Sequence, residues 1–260
     1  MNLAQAQIVL RPRTLGETLD LALRWQISVG GGTYLRLSLG LLLPAALGCF
    51  ALHRGADWAW REVWWLAIAL TTVLHGVFTV AASQMMFEPE VTARAVLRTF
   101  ARRLPTFIGA LIVSRIYLGV AMLVLVLVPW AWPRTLYIHE AVLLEQQPVM
   151  AAMRRSIAFA KGHYGRLIGL LFASVTAMLV GVFIVESAAA AVFDFVLQME
   201  RPWGALADGG SLAALLGLFA AVPFVASAQF LYYIDARTRR DGWDIQLAFM
   251  AIDDEGEDAR

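Results

Sequence analysis

Cysteine and charged residues are both scarce in this chain, and each shortage excludes a class of protein. The single cysteine, Cys49, excludes an intrachain disulfide framework and a cysteine-rich metal site. Only 16% of the residues are charged, whereas an ordinary soluble domain has about 25%. The formal net charge is +1, so the chain lacks the basic surplus that binding to nucleic-acid phosphates requires. We therefore expect neither a soluble domain nor a nucleic-acid partner.

The sequence also lacks the motifs of common enzymes. It contains no P-loop, no H-E-x-x-H motif and no G-x-S-x-G motif. Residues 1 to 32 contain no continuous apolar core, so we expect no cleavable signal peptide. From these absences we expect no enzymatic activity, no cofactor and no bound metal.

Long apolar runs, in contrast, are abundant. Hydrophobic residues make up 60% of the chain. Five runs come close to the ~20 residues that a membrane-spanning helix requires. They cover residues 34 to 52, 64 to 87, 107 to 128, 167 to 185 and 212 to 234. This pattern predicts an integral membrane protein whose first spanning helix serves as its insertion signal.

The positions of the basic residues predict a sixth crossing. Basic clusters precede the first, third and fourth of these runs and follow the last one. Because basic residues are enriched in cytoplasmic connections, all four clusters should lie on one side of the membrane. The chain must then cross twice between the second and third clusters. Residues 134 to 147, although polar, should therefore cross as well, which predicts six crossings with both termini in the cytoplasm.

Each of the three cytoplasmic connections begins at a proline and continues as an amphipathic helix, which is a weak threefold repeat. The prolines are Pro12, Pro89 and Pro148. In the first connection, Thr14 and Glu17 have the spacing of a capping box. We interpret the three helices as interfacial elbows that anchor the bundle.

Two of these elbow helices carry a basic face. Helical spacing places Arg94, Arg98 and Arg102 on one face of the second elbow. In the third elbow the corresponding residues are Arg154, Arg155 and Lys161. We expect these residues to contact lipid headgroups, and recognition of a partner is the alternative.

The predicted fold is thus an all-α integral membrane protein with six transmembrane helices and three cytoplasmic elbow helices. Residues 1 to 240 form the membrane domain and residues 241 to 260 a cytoplasmic tail. Within the tail, alternating apolar residues such as Trp243 and Phe249 favour either an interface anchor or a docking segment. We expect its acidic end to be disordered.

Ionisable side chains inside the crossings are the candidate functional residues. They are His75, Arg115, His139, Glu140 and Glu186. Arg115 falls near the midplane, where a guanidinium needs a partner or water. We expect it to be buried and paired with Glu140 or Glu186, with His75 nearby. The pair is either structural or part of a proton or ion path, and a metal site is a poorer fit to the spacing.

Opposite charges at the cytoplasmic surface predict a clamp between the two ends of the membrane domain. Glu17 and Asp20 belong to the first elbow, and Arg237 and Arg239 follow the last crossing. We expect ion pairs between the two groups.

Three stretches of the chain resemble a known family. They are RPRTLGETLDLALRW, EAVLLEQQPVMAAMRRSIAFAKGHYGRLIGLL and FLYYIDARTRRDGWDIQLAF. They are similar to bacterial proteins grouped with the glycerophosphoryl diester phosphodiesterase membrane domain and to related six-helix families. The resemblance implies a six-helix protein of the bacterial inner membrane. It does not extend to the phosphodiesterase, which is a separate soluble barrel domain in that arrangement.

Two functional hypotheses follow. The preferred one is a non-catalytic subunit or scaffold of an inner-membrane assembly, because catalytic motifs are missing and the tail has a docking pattern. The alternative is a small transporter or lipid-handling protein that uses a polar site around Arg115, since transporters place such sites near the midplane. The expected partners are membrane lipids and one or more proteins, and a homo-oligomer is a further option.

Overall fold

The computed structural model describes residues 13–88, 90–202 and 204–241, and every regular element in this part of the chain is helical. In chain order, the α-helices are α1 (Leu15–Ser28), α2 (Gly31–Leu37), α3 (Leu43–Gly55), α4 (Trp60–Phe87), α5 (Ala93–Met122), α6 (Val128–Thr135), α7 (Ile138–Leu144), α8 (Val149–Ala160), α9 (Tyr164–Ala191), α10 (Leu212–Ala220) and α11 (Val222–Asp241). The predicted cytoplasmic tail lies outside the described residues, apart from the last residue of α11.

Five helical stretches are long and apolar enough to cross a membrane, and each matches one of the predicted runs. They are Gly31–Gly55, Trp60–Phe87, Ala93–Met122, Tyr164–Leu197 and Leu212–Arg240. The first joins α2 to α3 through a π-helical turn, and the fourth continues α9 through another. By length and hydropathy, the protein is a multipass membrane protein.

The outward faces of the bundle are apolar, as contact with lipid requires. On α5, Ile112, Ile116 and Val120 are exposed at helical spacing. On α9, Phe172 and Phe183 are exposed in the same way. Such large apolar surfaces are unfavourable in water and match the hydrocarbon of a bilayer.

The predicted fourth crossing, residues 134 to 147, is not a single long helix. It falls on α6 and α7, which are separated by a short break and together form what we call the return limb. Ala131 of α6 packs in one cluster with Ala121 near the end of α5. Farther along, the rings of His139 and Phe107 lie 5.2 Å apart. The return limb therefore runs antiparallel to α5 and brings the chain back toward the end of the bundle where α5 began.

Because of the return limb, the basic connections gather at one end of the bundle, which we call the basic end. There, the Thr33 hydroxyl in α2 donates to the carbonyl of Val91, just before α5, at 2.7 Å. At the opposite end, Arg54 donates to the carbonyl of Pro202 at 2.6 Å. Connections rich in basic residues and connections poor in them thus lie at opposite ends of the bundle, which agrees with their alternation in the sequence.

The prediction of three separate elbow helices is wrong for the second one. α1 and α8 are separate helices, whereas α5 continues without interruption from the basic stretch into the membrane run, through Pro105. The capping box predicted for α1 is confirmed, since Thr14 and Glu17 cap each other's backbone N–H groups. Buried positions recur every three or four residues on both sides of Pro105, so one packed face holds the whole of α5 together. These positions are Val96, Phe100, Phe107, Ala110, Ser114, Leu118 and Ala121.

α9 and α10 approach each other so closely that only glycine fits at their crossing. A Cβ atom on Gly217 would lie 2.3 Å from the carbonyl oxygen of Gly181, and one on Gly181 would lie 2.7 Å from the carbonyl oxygen of Gly217. In lipid there is no hydrophobic driving force that holds helices together. Small residues at a helix crossing instead allow close packing of the two backbones.

Candidate functional site

A cavity of about 430 Å³ opens on the flank of the bundle between α4, α5, the return limb, α9 and α11. We call it the Arg115 cavity. Its apolar lining includes Leu118, Leu171 and Met178. Its polar lining consists of Thr71, Thr72, His75, Ser114, Arg115, Thr135, His139, Ser174 and Gln229. Three of the five predicted intramembrane residues thus line one space.

Arg115 is exposed, and the expectation that it is buried in an ion pair is wrong. Its guanidinium Nη2 donates to the Thr72 hydroxyl at 3.4 Å, and no carboxylate of the described residues lies within ion-pair distance. The reason is the rotation of α5. Ser114 and Leu118 occupy its buried face, and a step of one residue turns the side chain about 100° away from that face.

The position of Arg115 along the bundle is close to what the sequence predicts. It lies about 18 Å along α5 from Arg103, at 1.5 Å per residue. Its partner Thr72 lies about the same distance along α4 from Trp60, at the opposite end. The hydrocarbon of a bilayer is ~30 Å thick, so Arg115 falls near the middle of the predicted crossing.

The two histidines approach the cavity from neighbouring helices. His75 is buried, and its Nδ1 lies 3.5 Å from the hydroxyl of Thr79. His139 packs its ring against Phe107, and its buried Nδ1 has no hydrogen-bond partner among the described residues. A buried polar atom without a partner is costly, so a ligand that reached His139 would have a group to satisfy.

Glu140 is fully buried, but it does not counter Arg115. Both carboxyl oxygens lack a hydrogen-bond partner within the described part of the chain. It follows His139 directly in α7, so it projects about 100° away from the cavity-lining histidine.

Glu186 lies at the opposite end of the bundle and is used there. Its carboxylate accepts hydrogen bonds from the backbone N–H of Leu206 at 3.0 Å and from the Ser211 hydroxyl, and Arg201 approaches to 3.7 Å. Glu186 lies about 33 Å along α9 from the start of that helix, whereas Arg115 lies about 18 Å along α5 from Arg103. The two side chains are therefore too far apart along the bundle to pair. Its role is to fasten the connection that precedes α10.

A clamp between the two ends of the described chain does exist at the basic end. The Asp235 carboxylate accepts from the backbone N–H of Arg13 at 2.7 Å and from Nε of Arg239 at 2.8 Å. Arg239 donates in addition to the carbonyl of Arg13 at 2.7 Å. The clamp thus joins the segment before α1 to the end of α11.

The residues predicted for this clamp are mostly not the ones that form it. Asp20 pairs with Arg24 at 3.0 Å within α1, Arg239 pairs within α11, and Glu17 caps the start of α1. Arg237 approaches Glu145 at 3.5 Å. Partners one helical turn apart are already close, so they pair at a lower cost in side-chain entropy than residues on separate helices.

Glu145, at the end of the return limb, is a polar centre that the sequence analysis did not single out. Its carboxylate accepts from the Tyr233 hydroxyl and from Arg155 at 3.1 and 3.3 Å. Arg155, expected at the headgroups, is consequently half-buried and paired with a carboxylate of the protein. The Glu145–Arg155 spacing across the start of α8 is the only signal in the sequence, and it gives no sign of Tyr233.

The remaining basic residues expected at the interface are exposed. They are Arg94, Arg98, Arg102, Arg154 and Lys161. Their placement is compatible with headgroup contact and does not by itself identify a ligand.

Comparisons of the chain with protein-family models, curated proteins and solved structures find no match. The resemblance to the glycerophosphoryl diester phosphodiesterase membrane domain therefore stays a prediction.

Proposed function

We propose that this membrane protein binds an anionic amphiphile from the bilayer and holds its anionic group at Arg115. The observation that carries the proposal is the position of that guanidinium. It is exposed near the middle of the bundle, and its described hydrogen bond is to the Thr72 hydroxyl and not to a carboxylate. A cation at this depth is costly without a counter-charge, so a bound anion stabilises both itself and the protein.

The lining of the Arg115 cavity suits an amphiphile. Its volume of about 430 Å³ is within the usual range for ligand sites. Leu118, Leu171 and Met178 offer an apolar surface, while Arg115 offers a cationic donor on the same space. The cavity is on the flank of the bundle, so a lipid can reach it from the side without passing through water.

This proposal develops the lipid-handling alternative rather than the scaffold hypothesis. The scaffold hypothesis depends on the docking pattern of residues 241 to 260, which lie outside the described residues, and it stays a prediction. A purely structural role for Arg115 requires a buried carboxylate partner, and the described residues provide none. A binding role requires a free cation beside open space, which is the arrangement observed around Arg115.

The test uses Trp132, which lines the Arg115 cavity, as a fluorescent reporter. Its signal is the difference between the wild-type protein and the Trp132→Phe variant in nanodiscs. We expect phosphatidylglycerol with brominated chains to quench this signal more than brominated phosphatidylcholine does. The Arg115→Gln variant should abolish the difference between the two lipids.

The matched control is Arg98→Gln, which removes an exposed arginine from the same helix, outside the cavity. In this variant the two brominated lipids should quench the Trp132 signal as they do in the wild type. A Ser174→Phe variant, which fills the cavity, should reduce quenching by both lipids. Equal quenching of wild-type Trp132 by the two brominated lipids would overturn the proposal.

A further inference from the structure

A second cavity, of about 370 Å³, lies at the basic end, where the turn between α8 and α9 meets the end of α11. We call it the basic-end cavity. Phe159 and Leu167 form part of an apolar floor. Four cationic side chains line it, against one carboxylate. The cations are Lys161, Arg166, Arg239 and Arg240, and the carboxylate is Asp235.

The single carboxylate does not neutralise this cavity. Asp235 is already engaged by the backbone N–H of Arg13 and by Arg239. Lys161, Arg166 and Arg240 form no ion pair with any described residue. Arg240 instead places its guanidinium 5.4 Å from the centre of the Phe159 ring, which orients it over the apolar floor. Like charges around a concave surface concentrate a positive potential there, which attracts anions.

Two buried tyrosines in the wall are independent evidence that the cavity binds a ligand. Tyr137 and Tyr232 are only 1% and 4% exposed. Both line the cavity, and within the described part of the chain neither hydroxyl has a hydrogen-bond partner. Burying a hydroxyl without a partner costs free energy, so a group that accepts from it is expected nearby.

We infer that the basic-end cavity binds a phosphate group. Phosphate oxygens accept several short hydrogen bonds at once, which matches the two hydroxyl donors and the three cations that have no ion pair among the described residues. The phosphate belongs either to a lipid headgroup of the adjacent leaflet or to a soluble compound. This site is separate from the Arg115 cavity and does not depend on the function proposed for it.

The experiment uses the full-length protein and two probes. Inorganic phosphate is measured by equilibrium dialysis in a neutral detergent. Phosphatidylglycerol is measured by native mass spectrometry, as the lipid retained from nanodiscs that also contain phosphatidylcholine. The test variant is Lys161→Gln with Arg166→Gln. Its matched control is Arg94→Gln with Arg98→Gln, which removes the same charge from exposed positions at the same end.

We expect the test variant to weaken binding of at least one probe by about tenfold or more, as the loss of charge-assisted hydrogen bonds implies. The control should stay within about twofold of the wild type, since a distant exposed charge contributes little. Tyr232→Phe keeps the ring and its packing, and it should weaken the same probe several-fold.

The arms also identify the source of the phosphate. Binding of inorganic phosphate points to a soluble compound, and retention of phosphatidylglycerol alone points to a lipid headgroup. The Lys161→Gln, Arg166→Gln variant is also compared with its control in an Arg115→Gln background, where lipid held at the Arg115 cavity no longer contributes. The same loss should appear there, which keeps this test separate from that of the Arg115 cavity. The inference is overturned if neither probe binds, or if the test and control variants lose binding equally.

Discussion

The backbone N–H of Arg13 donates to a carboxylate oxygen of Asp235 at 2.7 Å, across 222 residues of sequence. Both residues belong to the clamp that fastens the segment before α1 to the end of α11. Most of the Asp235 side chain is inaccessible to solvent, so its carboxylate is a partly buried anion with two donors. Asp235 therefore stabilises the contact between the segment before α1 and the end of α11, to which Arg239 also contributes.

Replacement of this side chain should destabilise the protein measurably. Asp235→Ala leaves a buried N–H and a cation without their acceptor, and we expect the free energy of unfolding to fall by about 1–3 kcal/mol. Titration with sodium dodecyl sulfate, followed by circular dichroism, measures this quantity. The control is Asp20→Ala, whose pair with Arg24 has 58% and 75% of its side chains exposed and should cost less than about 1 kcal/mol. Equal losses in the two variants would show that the clamp is not a stabilising contact.

The N-cap of α10 should contribute more to the free energy of unfolding than an ordinary helix cap does. Ser211 accepts from the N–H of Ala214 at 2.9 Å and donates to the buried Glu186. Ser211→Ala removes both interactions, whereas Thr92→Ala at the exposed start of α5 removes only a cap. A cap alone contributes about 1 kcal/mol, and we expect Ser211→Ala to cost at least about 1 kcal/mol more than Thr92→Ala. The same unfolding titration compares the two, and a cost no greater than that of Thr92→Ala would contradict the role given to Glu186.

A single methyl group at the crossing of α9 and α10 should be destabilising. Gly217→Ala would put its Cβ 2.3 Å from a backbone oxygen, so the helices must separate. In a helix without such a contact, alanine is more favourable than glycine by up to about 1 kcal/mol. Gly48 is the matched control, because it is exposed in α3 and an added Cβ there would have no atom within 4 Å. We expect thermal melting in detergent to fall for Gly217→Ala and to rise or stay constant for Gly48→Ala. A rise in both would mean that the close crossing is absent.

Labelling of introduced cysteines tests the topology, including the crossing by the return limb. Cys49 is buried and is first replaced by alanine. Cysteines at Ala56 and Asp208 should react with a membrane-impermeant maleimide in intact cells. Those at Arg98 and Arg154 should react only after the membrane is opened, since an even number of passes separates them. All four positions are exposed, so access is decided by the membrane alone. Reaction of Arg154→Cys in intact cells would show that the return limb does not cross.

The long helices were predictable because crossing a membrane is a local property of the chain. In hydrocarbon each backbone N–H and C=O group must be satisfied within its own helix, so a run of apolar residues of sufficient length is enough. This holds for the run before Gly55 and for α4, whose limits differ from the prediction by only a few residues. The crossing by the return limb was predicted only from the side on which basic residues accumulate, because its own hydropathy does not identify it.

The partners of the charged residues were not predictable, because they depend on how the helices are rotated and how far along each one a residue lies. The sequence by itself placed Arg115 near the middle of its predicted crossing and His75 midway along another. Only the tertiary structure decided that Arg115 faces an open cavity and that Glu186 fastens a connection at the opposite end. Successive residues of a helix point about 100° apart, so a small rotation of the helix decides whether a side chain is buried in an ion pair or exposed to a ligand. Packing against neighbouring helices sets that rotation.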